Sequence, residues 1–160
     1  MRTVYVESSI FGYLRQRPSG SVVTAARQVL TQRWWNTERG NYENVISQYV
    51  IDEVSAGNPE LAAERLRLLE GLPVLPPAPG IQVIARAMVA RAILPPKAEV
   101  DALHVAAAAH HGIDYVLTWN CSHIANARIL PAIRGLLAEL GVAMPFVCTP
   151  EEFVGNDARF

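Results

Sequence analysis

The chain has 160 residues, of which 51% are hydrophobic, and a formal net charge of −1. A chain of that size and apolarity buries a core of its own, which excludes disorder, and its charge balance excludes a protein that coats nucleic acid by bulk attraction. No apolar run approaches the roughly 20 residues of a membrane span, and Met1-Arg-Thr-Val-Tyr-Val-Glu7 has no signal-peptide layout, so a soluble cytoplasmic single domain over 1–160 is expected.

Charge is not spread evenly. Residues 1–44 carry six basic side chains (Arg2, Arg15, Arg17, Arg27, Arg33, Arg39) against Glu7, Glu38 and Glu43, and thirteen of the fourteen cations in the whole chain are arginine. Arginine suits bidentate phosphate contact, although scattered arginines are also what a solvated surface contains. Cys121 and Cys148 match no zinc spacing and read as free buried thiols.

Thr3-Val4-Tyr5-Val6 is β-branched and aromatic, which predicts a first strand ending at Glu7, with Ser8 or Ser9 as the cap of a helix through Leu14. After a basic turn at 15–20, apolar spacing predicts a long amphipathic helix from Ser21 to Arg39 that includes Trp34 and Trp35. Asn44-Val45-Ile46-Ser47 is a second strand, followed by a short helix through Glu53 that Gly57 stops. Asn58-Pro59 opens a helix that Gly71 closes, and Leu72–Leu75 reads as a third strand. A proline-rich linker precedes a helix over Ile81–Leu94. A helix then carries Asp101 and an alanine-rich run to Gly112. Asp114–Thr118 is a strand, Ala127–Leu140 a helix with Pro131 in its first turn, Pro145–Cys148 a last strand, and Thr149-Pro150-Glu151-Glu152 the start of a closing helix. Strands alternating with helices over this length imply α/β architecture with a parallel sheet covered on both faces.

Glu7 and Asn120 each follow a strand's carboxyl end and so share one edge of such a sheet, while Glu53 and Asp101 lie on helices whose starts face the same edge. Carboxylates converging there repel one another unless a cation sits between them, and oxygen ligands without sulfur select Mg²⁺ or Mn²⁺ over zinc. Singly, each has a plainer role: loop acid, helix-surface acid, dipole complement, turn former. His104, His110 and His111 lie on one helix and could line up on one side, but the close-packed Ala107 and Ala108 and the lack of an accompanying acid argue against metal binding there. His123 is read as a structural hydrogen-bonder, with acid or phosphate donor as alternatives. Trp34, Trp35, Tyr42 and Tyr49 could stack on bases but read better as core or dimer interface.

Val4-Tyr5-Val6-Glu7-Ser8-Ser9, Ser47-Gln-Tyr-Val-Ile-Asp52-Glu53, Asp101-Ala-Leu-His104-Val-Ala-Ala and Asp114-Tyr-Val-Leu-Thr118-Trp119-Asn120 together resemble a PIN domain of the VapC-like, toxin–antitoxin type. Glu7 stands where that pattern ordinarily has aspartate. Asn120 stands in the fourth acidic place, as in a divergent subgroup. The resemblance implies a three-layer α/β/α sandwich, Mg²⁺ or Mn²⁺ held by Glu7, Glu53 and Asp101, Ser9, Thr118 and His123 in support, and cleavage of single-stranded RNA. Arg15, Arg17 or Lys97 would hold phosphates. An antitoxin protein and a homodimer are the implied partners. The competing expectation is a PIN-like module that no longer cleaves and binds RNA or a partner protein.

Overall fold

In a computed structural model, which describes residues 1–154, four short strands form one parallel sheet: β1 (Thr3–Val6), β2 (Glu43–Val45), β3 (Tyr115–Leu117) and β4 (Phe146–Cys148), in the order β2-β1-β3-β4. Residues 155–160, the end of the expected domain, lie outside the described part. Val4, Tyr5 and Val6 are all fully buried, because β1 is central and helices cover both faces of the sheet, giving the three-layer α/β/α sandwich. Eight α-helices are described: α1 (Ser8–Arg15), α2 (Val22–Arg33), α3 (Gln48–Val54), α4 (Pro59–Leu68), α5 (Pro79–Ala90), α6 (Glu99–His110), α7 (Leu130–Glu139) and α8 (Pro150–Val154). None of the described helices is long and apolar enough to cross a membrane.

The chain runs from β1 outward to β2, then crosses back to β3 on the other side of β1. The order therefore reverses between β1 and β3, and open α/β sheets place ligands in the crevice beyond the strand ends at such a point. Register fixes what meets there. Val6 pairs with Leu117, and the Glu7 N–H donates to the Leu117 carbonyl at 3.0 Å, so Glu7 and Thr118 leave the sheet side by side.

Three expected elements differ. Leu72–Leu75 contributes a single bridge, Val74 to Ile46, rather than a strand; Pro73 has no N–H to donate and lends only its carbonyl, to Ile46 N at 3.0 Å. The helix expected over Ser21–Arg39 ends at Arg33 and continues as a π-turn over Trp34–Glu38 and a 3₁₀ turn over Arg39–Asn41. That widening seats Trp34 and Trp35 in the core, one of the two places expected for them, and away from the interface that was the other. Conversely Val22, Val23 and Val29, whose helical spacing marks the apolar positions of α2, are exposed. The α1 cap is Glu7 rather than a serine, and the helix begins at Ser8.

α6 is apolar almost all round, with Ala102 and Val105 to Ala109 buried, as befits a helix enclosed by its neighbours. Small side chains let α5 approach closely: a Cβ at Gly80 would lie 2.7 Å from the His110 ring. Of the two thiols, Cys148 is buried as expected, its pKa pushed up to about 12 by burial and then by the charge of Glu152, whereas Cys121 is exposed.

Candidate metal centre

Glu7 is 3% exposed and caps α1 with its own carboxylate. Oε2 accepts from the Ser9 N–H at 3.1 Å, from the Ser9 hydroxyl, and from the Thr118 hydroxyl at 2.7 Å; Oε1 faces the Ser8 hydroxyl at 2.8 Å. The carboxylate thus caps the helix N-terminus and turns both its oxygens toward donors from α1 and from the end of β3. Thr118 also accepts from the Asn120 N–H at 2.9 Å, and the Ser9 hydroxyl from the Trp119 N–H at 2.9 Å, so Ser9 and Thr118 knit the ends of β1 and β3 together.

Glu53 reaches the same place from α3. Its Oε1 is 2.8 Å from the Ser8 hydroxyl and in hydrogen-bond contact with His104 Nε2. Burial raises its pKa, but the His104 hydrogen bond and charge and the Ser8 hydroxyl outweigh that, and its carboxyl sits below the usual range. Glu7, Glu53 and His104 each offer one ligand atom, and these atoms lie within 4.8 Å of one another, so the group could hold a metal ion.

Proton counting tests that fit. Ser8 stands 2.8 Å from both Glu7 Oε1 and Glu53 Oε1, yet a hydroxyl has a single hydrogen. One of these two contacts therefore joins oxygens with no proton between them, an excess of acceptors that a cation would relieve. Oxygen and imidazole donors together suit a divalent ion.

Behind the group runs a buried chain. Ser47 Oγ is 2.6 Å from the Tyr5 hydroxyl, which is 2.7 Å from His104 Nδ1, and His104 is fully buried. Burial, opposed by the Ser47 hydrogen bond, holds the Tyr5 phenol above its ordinary pKa, so it stays protonated. Donating to Nδ1, Tyr5 leaves the imidazole proton on Nε2, facing Glu53. Donating instead to Ser47, it accepts from Nδ1 and leaves Nε2 with a lone pair for a cation.

His104 is thus the residue that sequence reasoning missed, because the acids grouped with it come from the end of β1 and from α3 rather than from its own helix. His110 and His111 lie toward the opposite end of α6, where His111 Nε2 is 2.8 Å from the Pro76 carbonyl oxygen, so the three histidines do not act together. Asp101, in the first turn of α6, is held by His123 Nδ1 at 3.0 Å and is not a member of the compact Glu7–Glu53–His104 group. Asn120 accepts the His123 N–H at 3.0 Å with its side-chain oxygen, so His123 ties the loop after β3 to α6.

The centre opens into a cleft of about 420 Å³ lined by Glu7, Ser8, Ser9, Gly12, Glu53, Val54, Arg65, Trp119 and Asn120. Arg15, Arg17 and Lys97 are exposed, and none of them lines it. Trp119 is itself fixed, its indole N–H donating to Thr31 at 2.7 Å and the Arg27 guanidinium lying 5.0 Å from its ring centroid.

No family model and no curated protein matches the sequence. Solved structures do. VapC20 of Mycobacterium tuberculosis, a sarcin-ricin loop cleaving toxin, superposes with a TM-score of 0.55 at 15% identity over 75% of this chain and 92% of its own. VapBC2 of Rickettsia felis, bound to a DNA fragment from its promoter, gives 0.53 at 13% identity over 92% and 98%. VapBC-1 of nontypeable Haemophilus influenzae gives 0.54 at 13% identity over 93% and 98%. With its parallel sheet between helical layers, the chain has the fold of a VapC-like PIN domain.

Proposed function

We propose that the protein is a divalent-metal-dependent endoribonuclease of the VapC type, hydrolysing phosphodiester bonds in single-stranded RNA as the toxin of a toxin–antitoxin pair. The observation that carries this reading is the meeting of Glu7, Glu53 and His104 within 4.8 Å, at the point where the sheet order of a VapC-like fold reverses. Glu7, Glu53 and Asp101 are the proposed carboxylate ligands, with His104 beside them, and the ion is Mn²⁺ or Mg²⁺. The imidazole in the donor set favours Mn²⁺. Bound there, the ion supplies Lewis acidity toward water and toward a phosphodiester oxygen. The chain's own part is orientation: Ser9 and Thr118 fix Glu7, His104 fixes Glu53, and Asn120 and His123 set the loop beside them. In-line attack by water leaves a 5′-phosphate and a 3′-hydroxyl.

The structures of VapBC assemblies support a protein partner for a chain of this fold. The exposed valines of α2 are apolar surface open to an antitoxin or to a second copy in a homodimer. A cytoplasmic setting belongs to the same proposal.

Cleavage of a single-stranded RNA with Mn²⁺ or Mg²⁺ tests it. The expected result is cleavage that stops on chelation and falls on the order of 10²-fold in Glu53→Gln and in Asp101→Asn. Cleavage that persists in chelator, or at wild-type rate in both variants, contradicts it. A second reading, a PIN-like module that binds RNA or a protein without cutting, is favoured by one arrangement: Asn120 is neutral and Asp101 is engaged by His123, which leaves two carboxylates in the compact group.

A further inference from the structure

Among the described residues, Arg65 is the one cationic side chain lining the cleft. It lies on α4, which the positive-φ turn at Gly57 and the Asn58 cap bring back past the end of α3. Its Nε donates to the Val54 carbonyl at 3.2 Å and its Nη2 to the Ala56 carbonyl at 2.9 Å. Val54 directly follows Glu53, so the guanidinium and a proposed ligand are mounted on the same turn. Both acceptors are neutral. Among the described residues no carboxylate pairs with Arg65, and Nη1 makes no hydrogen bond. Arg65 is thus a half-buried residue whose guanidinium is held by two carbonyls and has no carboxylate in direct contact among the described residues.

Across the cleft, Gly12 of α1 leaves open space, since a Cβ there would meet nothing within 4 Å. Trp119 supplies an apolar wall. An RNA phosphate approaching a floor made by Glu7 and Glu53 is repelled unless a cation offsets them, and a pre-positioned guanidinium does so with little further loss of side-chain freedom.

We propose that Arg65 is a substrate-binding residue that anchors a backbone phosphate of single-stranded RNA next to the bond to be cut. The inference rests on the nuclease reading and adds to it a contact that needs no metal. It also moves the phosphate-holding role from Arg15, Arg17 and Lys97 to α4.

The test is fluorescence anisotropy of a labelled single-stranded RNA with the full chain in excess EDTA, where metal-dependent cleavage is blocked, over a range of salt. Arg65→Ala should bind about tenfold more weakly at low salt, and its slope of log affinity against log salt should fall by about 0.7, the loss of one phosphate contact on a single strand. Arg65→Lys should keep the slope and recover part of the affinity, because it retains the charge without the fork. In cleavage assays with Mn²⁺, Arg65→Ala should raise KM about tenfold and leave kcat within about threefold. Because Arg65 also braces the end of α3, Arg65→Gln, which keeps one amide donor for a carbonyl, stands in if the alanine variant does not fold. Unchanged affinity and slope in a folded variant overturns the proposal, as does a wild-type chain that binds no RNA at low salt. A wild-type chain that binds RNA through Arg65 yet does not cut it with Mn²⁺ overturns the nuclease reading alone.

Discussion

Glu7 is one methylene longer than an aspartate, and the extra reach lets its carboxylate fold back over the start of α1 while still meeting Thr118 from β3. Its two oxygens do different work: Oε2 collects the donors of Ser9 and Thr118, and Oε1 faces Ser8 and the cleft. Glu7→Gln keeps the shape, with the amide oxygen toward Ser9 and Thr118 and the NH₂ toward Ser8. Stability in urea should therefore change by only about 1 kcal/mol, while Mn²⁺ affinity should drop more than about tenfold. Loss of folding without loss of metal affinity would mark Glu7 as a cap alone. At the opposite edge of the sheet, Asp114 accepts from the Thr3 N–H at 2.9 Å, the Thr3 hydroxyl at 3.1 Å and Arg2 at 3.2 Å. The Thr3 N–H foremost, then the hydroxyl and Arg2, hold its carboxyl below the usual range against a smaller effect of burial. A depressed acid stabilises the fold above its unfolded pKa and loses that contribution as pH falls through the folded one. Asp114→Asn should therefore be less stable than wild type at pH 7, with the gap closing below about pH 4. A gap that widens toward acid contradicts the assignment.

At the scale of elements, α6 does two things: its alanines let α5 and the sheet close around it, and its first turns deliver His104 and Asp101. Tyr5→Phe removes the hydroxyl between Ser47 and His104 and leaves a ring nitrogen buried without a partner. The cost should be about 1 to 3 kcal/mol of stability, together with roughly tenfold weaker metal binding. Unchanged stability and affinity would show that the chain behind His104 has no function. Much of this level is readable from local chemistry. Pro131 sits in the first turn of α7, Gly141 ends that helix with φ +70°, and β1 spans the four β-prone residues Thr3–Val6. What local chemistry does not contain is who covers a face. The periodicity of 22–34 is helical, yet Val22, Val23 and Val29 lie outside and the π-turn, which no spacing predicts, puts Trp34 and Trp35 inside. His104 failed for the same reason. Its partner Glu53 is 51 positions away, so a search for an acid beside it on the same helix does not find it.

At the scale of the molecule, three short strands in the order β2-β1-β3 suffice to bring residues from opposite ends of the chain to one place. Glu7 and Thr118, 111 positions apart, are neighbours because Val6 pairs with Leu117, and α3 and α6 deliver Glu53 and His104 to the same edge. The convergence of Glu7, Glu53 and Asn120 on one cleft follows from alternating strands and helices read along the sequence; the pairing of Asp101 with His123 does not, since it depends on side-chain direction. Gly12 shows how that cleft is kept open. It lies mid-helix, where alanine is favoured, and a Cβ there meets nothing. Gly12→Ala should raise stability by about 0.5 to 1 kcal/mol in urea unfolding, whereas a loss would show that the helix needs the glycine for packing.

Whether Glu7, Glu53 and His104 share a cation is read directly by calorimetric titration with Mn²⁺. Wild type should bind one ion, and Glu53→Gln, folded to the same extent by circular dichroism, should lose that binding. No heat at millimolar Mn²⁺, or equal affinity in the two proteins, would contradict a shared cation and leave a VapC-like fold without one at this place.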